Sequence, residues 1–503
     1  MSSRPKLLWF LVLTSTEKRG TGTECRHLAG RTHVEAGTEW EIGRSLPHGH
    51  VAAVWAMAER LGLAKLLGPA GPERDLTLAL VIARAVSPAS KLATTRWWAT
   101  TTLAADLGVA GASTDDVYAA MDWLVGRQGD VEAGLARRHL KPGGMVFYDL
   151  SSSWVEGHCC PLAARGYSRD HKAGKEQIEY GLICDRDGRP VAVEVFAGNT
   201  ADPTAFISAA AAVRERFGLT DVVMVGDRGM ITSARIEALN SVGGLGWVTS
   251  LRAPAIRALA EQHVLQLSLF DEANLAEITH PDYPGERLVA CRNPALAAER
   301  SRKRAELLAA TEALLAPIAD AVAAGRLAGA DKIGLRVGKV INRHKMAKHL
   351  ELVIDDNSIS YERRTEAVAA EAALDGIYVI RTSVGAATLN TAGVVEAYKD
   401  LAHVEADFRS LKAIDLDLGP IHHWTEDRVR AHVFICMLAA YLSGTSAKSG
   451  RRSVSPTRPS LAAPTPSPPP DTPWRRSPKR PASARTTASP STTWRPCSPS
   501  SAP

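Results

Sequence analysis

The apolar positions of this chain fall into distinct regimes. Between 48 and 140 they recur at three- and four-residue intervals, over Gly49–Leu67, Leu76–Val86 and Thr114–Leu124, which is the period of amphipathic helices. Ser113 and Asp116 have the spacing of a capping box, with Asp in place of Glu, so a helix is expected to begin at Thr114. From 141 the period changes. Met145–Leu150 (M-V-F-Y-D-L) reads as a short apolar strand ending near Asp149, and Gln177–Cys184 and Pro190–Phe196 read as two more, joined as a hairpin by the D-R-D-G turn at Asp185–Gly188. Ala205–Phe217 reads as a helix. Asp221–Gly226 is a continuous apolar run and so a buried strand. A helix at Ser233–Val242 and a strand at Gly246–Leu251 follow. The order β, β-hairpin, α, β, α, β predicts an α/β fold, a mixed sheet covered by helices. Residues 252–375 interrupt it with a charged helix, Glu299–Leu315, and strand-like pieces such as Leu350–Ile354. The order resumes with a strand at Gly376–Thr382, one long helix at Thr391–Ala413 and a final apolar helix, H-V-F-I-C-M-L-A-A-Y-L.

Composition changes the picture at the two ends. The chain has 503 residues, with 60 Lys and Arg against 54 Asp and Glu, a net charge of +6. Residues 444–503 carry ten basic residues and one acidic residue, Asp471, whereas 1–443 carry −3 in total. The same segment holds 14 of the 29 prolines and no core-forming stripe, so it reads as a disordered basic tail. A nucleic-acid-binding arm, a solvated tail and coding sequence read in a shifted frame all fit that composition. Lys6 and the apolar run Leu7–Leu13 faintly resemble a signal peptide, but no small-residue cleavage site follows. Residues 1–44 show no periodicity and are expected to be poorly ordered. No apolar run approaches the ~20 residues of a membrane span. Seven cysteines without a C-x-x-C pair exclude a disulfide scaffold and a zinc ribbon, and point to a reducing, cytoplasmic compartment. Lys91, Arg96, Trp97 and Trp98 read either as a DNA-facing surface or, preferably, as part of a helical bundle with core tryptophans.

Three carboxylates carry the candidate chemistry. Asp149 ends one strand and Asp227 directly follows another, in V-G-D-R-G-M. Either alone is an ordinary strand-end turn residue. On adjacent strands they would meet, and two like charges brought that close call for a cation; hard oxygen donors suit Mg²⁺. Glu405 lies in Y-K-D-L-A-H-V-E-A-D-F-R-S-L-K, where Leu401, Val404, Phe408 and Leu411 make an apolar stripe. Tyr398, Glu405 and Lys412 form a second stripe at seven-residue steps, each rising about 10 Å along a helix. An ordinary amphipathic helix with Glu405 paired to Arg409 reads equally well.

Y-D-L-S-S, G-N-T-A-D-P, V-G-D-R-G-M and the Y-x6-E-x6-K helix, in this order over about 45–443, resemble the DDE transposases of bacterial insertion sequences, in the subgroup marked by a Tyr–Arg–Glu–Lys helix signature. The resemblance implies a ribonuclease H-like catalytic domain over 141–251 and 376–443. It also implies a helical domain at 45–140 for DNA-end binding and an insertion at 252–375 of the β-rich kind, placed before the last catalytic helix. Asp149, Asp227 and Glu405 become the metal-binding triad for Mg²⁺, with Mn²⁺ a substitute. Tyr398, Lys412 and Arg228 become contacts to the DNA end. The signature's Arg falls on Leu401, a core position, and Arg409 is the candidate to replace it. Asn199, Thr200 and Asp202 match a family loop, and the same residues also make a good turn and helix start. The implied function is metal-dependent cleavage and strand transfer at the terminal repeats of a mobile element, on terminal-repeat and target DNA, by a homodimer in the synaptic complex. A metal-dependent nuclease on the same fold and a non-catalytic DNA-binding remnant of a decayed element are the alternatives.

Overall fold

The computed structural model describes residues 9–14, 41–157, 159–170, 172, 174–229, 231, 236, 239, 245–270 and 273–453. Strands β1 (Trp9–Thr14) and β2 (Glu41–Pro47) pair antiparallel inside the stretch expected to lack order. Aromatic and β-branched residues in W-F-L-V-L-T favour extended backbone once a partner strand is present.

The helical segment comprises α1 (Gly49–Arg60), α2 (Leu63–Leu67), α3 (Pro72–Val86), α4 (Lys91–Trp98), α5 (Leu103–Asp106) and α6 (Thr114–His139). Helix α6 starts at the expected capping box: Asp116 N donates to Ser113 Oγ at 3.2 Å and Ser113 N donates to Asp116 Oδ2 at 2.8 Å. Trp98 is fully buried, a core tryptophan.

The catalytic-looking half is built on one eight-stranded sheet. Its strands are β3 (Gly144–Trp154), β4 (Gln177–Cys184), β5 (Pro190–Ala197), β6 (Val222–Gly226), β7 (Gly246–Ser250), β8 (Leu275–Ile278), β9 (Arg287–Arg292) and, after a separate hairpin β10 (Leu350–Ile354) and β11 (Ile359–Arg363), β12 (Ile377–Thr382). The order is β5-β4-β3-β6-β7-β12-β9-β8. Antiparallel pairing runs across β5-β4-β3 and parallel pairing across β3-β6-β7. This is the ribonuclease H-like arrangement. Strand β3 extends to Trp154, so Asp149 is interior to the strand and not at its end. The reason is asymmetric pairing: β4 accompanies β3 as far as Trp154, whereas parallel pairing to β6 stops at Tyr148. Helix α7 (Asp202–Ala211) begins three residues before its expected start, with Pro203 in its first turn, and ends in a π-helical turn, Ala212–Arg216. The helix expected at Ser233–Val242 falls, apart from Ile236 and Leu239, outside the described residues.

Residues 252–375 are not one inserted body. Helix α8 (Ala253–Glu261) and strands β8 and β9 continue the sheet, and Ile256, Leu259, Leu288 and Val379 share a small core with them. An open edge on β12 would be exposed to non-specific pairing, and β9 covers it. The insert proper is helical: α9 (Pro294–Ala323), α10 (Ala330–Val340) and α11 (Thr365–Ala372) enclose a separate core with the β10–β11 hairpin. The expectation of a β-rich insertion is therefore corrected, because the Ala-, Glu- and Arg-rich stretch at Pro294–Ala323 strongly favours helix.

The single helix expected at Thr391–Ala413 is broken into α12 (Thr391–Asp400), α13 (Ala402–Arg409) and a π-helical turn, Ser410–Ile414. The break falls at Leu401, which is buried in the core. There Leu401 N donates to Tyr398 O and Val404 N to Leu401 O, a tighter three-residue spacing. The last helix, α14 (Glu426–Ser453), runs ten residues into the segment expected to be disordered from 444; elongating a helix already anchored in the core adds one bond per residue. The tail beyond Ser453 lies outside the described residues. Val429–Leu442 of α14 pack with α1, α3, α6 and β5, so the helical segment and the sheet share one core.

Glu132 pins α6 to the sheet. It is wholly buried, accepts from Gln128 Nε2 at 2.8 Å and Val193 N at 3.1 Å, and pairs with Arg216 of the π-helical turn. Burial pushes its carboxyl above the usual range and Arg216 opposes the shift. Arg216→Ala strands that charge. Because Arg216 itself is partly exposed, a loss of about 1–3 kcal/mol is expected, read by urea unfolding, with Glu132→Gln restoring most of it in the double variant.

Candidate active site

The pairing of β3 with β6 sets the site. Phe147 stands opposite Val225 and Tyr148 opposite Gly226, where the parallel pairing ends with the strands about 4.8 Å apart; Asp149 and Asp227 are the next residues of the two chains. Alternation along β3 decides the face. Tyr148 points to α7, its ring 5.9 Å from Phe206. Asp149 and Ser151 point the other way, where Tyr180, opposite Ser151, meets Phe408 of α13 at 5.8 Å. That face carries α13, and with it Glu405, exposed one turn before Phe408.

Asp149 feels both of the other carboxylates. Burial, above all, pushes Asp149 up to about 7, and Asp227 and Glu405 add repulsion, while its bond from Leu150 N at 2.8 Å and the charge of Arg169 work against the shift. Among the described residues no trio of acidic, His or Cys side chains is close enough to cage a metal ion as it stands. In kind and in charge, however, three carboxylates, one of them repelled by the other two, fit a hard divalent cation.

Tyr398 and Lys412 lie on the same side. The Tyr398 hydroxyl donates to Asp227 Oδ1 at 3.2 Å, and burial, reinforced by that carboxylate, raises its pKa, so it stays a donor. Lys412 Nζ donates to Asp170 Oδ1 at 2.7 Å; burial lowers its pKa, Asp170 opposes this, and Asp149 is among the charges it feels. The aligned stripe expected of a straight helix is thus replaced by three groups on a broken one, all still directed to the aspartates' side. Arg228 is exposed beside Tyr398, and its carbonyl accepts from Arg252 Nε at 3.3 Å. It borders a cleft of about 440 Å³ that also presents Arg257, Arg300 and Lys303. Arg409 is exposed, and neither it nor Glu405 forms an ion pair among the described residues. Asn199 is exposed in the turn before α7, apart from these contacts.

Sequence reasoning missed the loop after β3. Arg169 Nη1 lies 3.5 Å from Glu179 Oε1, a buried acid on β4, and Arg169 N donates to Ser152 Oγ at 3.2 Å. Arg169, Asp170 and Glu179 thereby connect Lys412 to the sheet. The available signal was topological: S-R-D-H-K follows the carboxyl-terminal half of a central strand, where α/β sheets place ligands.

An acidic cluster on the central parallel strands of a ribonuclease H-like sheet defines a phosphoryl-transfer class of protein. Residues 157–442, more than half of the chain, match the model of the transposase DDE domain. The chain belongs to that family and is a transposase, an enzyme of a class that uses divalent metal ions. Solved structures give distant likenesses. A synaptic complex of piggyBac transposase with hairpin DNA has 10% identity over 81% of this chain and 80% of its own, at a TM-score of 0.35. A Mos1 transposase paired-end complex with the left transposon end has 10% identity over 46% of this chain and 65% of its own, at a TM-score of 0.16. No curated protein matches.

Proposed function

We propose that Asp149, Asp227 and Glu405 together hold Mg²⁺, with Mn²⁺ able to substitute, and that the enzyme cuts and joins DNA at the terminal repeats of a mobile element. What supports this reading is that Asp149 and Asp227 each follow the last paired residues of β3 and β6, Tyr148 and Gly226, and that Asp149 feels the charges of both Asp227 and Glu405. When bound, such ions stabilise the attacking and leaving oxygens of an in-line displacement at phosphorus. The chain's own groups hold the DNA. Arg228, and Lys412 on release from Asp170, present cations to phosphates beside the acidic site, while Arg409 and the cleft of Arg257, Arg300 and Lys303 extend the cationic surface away from it. Tyr398 orients the Asp227 carboxylate through its hydroxyl. Two ends must be brought together for joining, so a homodimer in the synaptic complex completes the reading.

The test is a cleavage and joining assay on labelled element-end duplex with Mg²⁺, with Mn²⁺ and with EDTA. Nicking followed by joined product supports the proposal; hydrolysis alone makes the protein a nuclease, and end binding without cleavage a remnant. Tyr398→Phe should lower the cleavage rate about 10- to 100-fold, the worth of one hydrogen bond to a charged partner positioned for catalysis, with end affinity nearly unchanged in a gel-shift titration.

A further inference from the structure

Away from the three carboxylates, a second concentration of charge lies where α3, α4 and α14 meet the loop before α14. Arg84 and Lys91 are only 6% and 5% exposed. Neither forms an ion pair among the described residues. Among the described residues Lys91 Nζ makes a single hydrogen bond, to Nδ1 of the buried His432 at 3.1 Å. The Nε2 of His432 lies 3.1 Å from the carbonyl of Leu418, so Nε2 carries the proton, Nδ1 accepts from Lys91, and the imidazole is neutral. Arg84 donates to two carbonyls, Ala89 at 2.8 Å and Leu416 at 3.4 Å, which leaves further N–H groups of its fork unused. These cations open on a cavity of about 240 Å³, also lined by His423 and Tyr118. At ~30 Å³ per water molecule that is far more than one water needs. Among the described residues the only carboxylate lining it, Asp417, makes no ion pair with either cation.

Two buried cations without a counter-charge are costly, and a structure that retains them calls for an anion to offset them. A guanidinium fork and an ammonium converging on a polar cavity are the donors suited to a phosphate group. We propose that the pocket between Arg84, Lys91, His423 and His432 is a phosphate-binding site, separate from the acidic site. Burial, with Arg84 adding repulsion, holds Lys91 down to about 7, so the ammonium is fully retained only when an anion joins it. The phosphate has two possible sources, the backbone of bound DNA or free phosphate in solution, and the pocket's chemistry is the same for both.

The experiment uses the full chain and inorganic phosphate, with chloride at matched ionic strength as control. Thermal midpoints are followed for the wild type and for Lys91→Met, which keeps the length of the side chain and removes its charge. Phosphate should raise the wild-type midpoint in a saturable way. Lys91→Met should weaken phosphate binding by about ten- to a hundred-fold, the worth of one charge-assisted hydrogen bond. Without phosphate the same variant should melt no lower than the wild type, because it removes an uncompensated buried charge. A purely structural Lys91, serving to hold His432, predicts the reverse: a lower midpoint and no response to phosphate in either protein. That result overturns the proposal, as does equal phosphate stabilisation of both. Arg84→Lys is the second variant, expected to keep charge and folding while losing part of the affinity. The source is read by competition. If phosphate displaces a labelled duplex from the wild type and not from Lys91→Met, the occupant is a DNA phosphate; stabilisation without displacement assigns free phosphate. Both assays are readable in EDTA, so they stand apart from the cleavage chemistry.

Discussion

Glu405→Gln should reduce cleavage of element-end DNA by about two to three orders of magnitude while leaving DNA binding within about two-fold, in line with the loss on removing one preorganised charge-stabilising group. The substitution preserves volume and the exposed position on α13, so the buried stripe of Leu401, Val404, Phe408 and Leu411 is untouched. What disappears is one of the negative charges that Asp149 feels. Phosphate contacts come from other side chains, including Arg228, Lys412 and those lining the cationic cleft. Single-turnover cleavage measured beside a gel-shift titration separates the two quantities. Equal loss of both would mean that Glu405 positions DNA and is not a metal ligand.

Asp149→Asn should stabilise the protein in EDTA and abolish its stabilisation by Mg²⁺. The Asp149 pKa is raised in the folded state, from 3.8 to about 7. Between those values the folded chain binds more protons than the unfolded one, so stability falls as pH rises from about 4 through about 7. At pH 8 the ionised Asp149, buried above all and also repelled by Asp227 and Glu405, should cost on the order of 2–4 kcal/mol without a cation. At roughly 2 °C per kcal/mol for a chain of this size, the variant should melt about 4–8 °C above the wild type at pH 8 in EDTA, with little difference at pH 4. Scanning calorimetry at the two pH values, with and without Mg²⁺, gives the comparison. A variant less stable than the wild type at both would show that Asp149 is held by favourable contacts and that burying its charge does not cost stability.

The fold was legible wherever local pattern and tertiary role agree. The strands from Gln177 to Gly226 and the capping box at Ser113 follow directly from alternation, continuous apolar runs and side-chain spacing. Pattern gave way where long-range pairing decides. Nothing local to S-S-S-W says that β3 continues past Asp149; the partner strand β4 does. Likewise the sequence around Leu275 and Leu288 carries no mark that β8 and β9 extend the main sheet, because their reason is the edge of β12. In the candidate site the acidic residues and Tyr398 could be picked out because their motifs repeat a known order. Arg169, Asp170 and Glu179 could not, since a charged loop has no period and its importance lies in where β3 delivers it. The break at Leu401 was hidden for a related reason. An apolar stripe fixes which side of a helix is buried, and it says nothing about a turn that tightens while keeping that side inward.

The burial of α14 has a consequence in time as well as in space. Val429–Leu442 supply packing to α1, α3, α6 and β5, elements made hundreds of residues earlier. On the ribosome, the chain therefore carries all three carboxylates and every strand of its main sheet for a few seconds, at about 5–20 residues per second, before the piece that closes its core has been synthesised. A product terminated before Val429 would contain every residue of the acidic site and lack the folded body that aligns them. Competence to cut DNA is thus expected to arise late, with the helix that completes this core, and a chain ended before Val429 is expected to lack it in a cleavage assay.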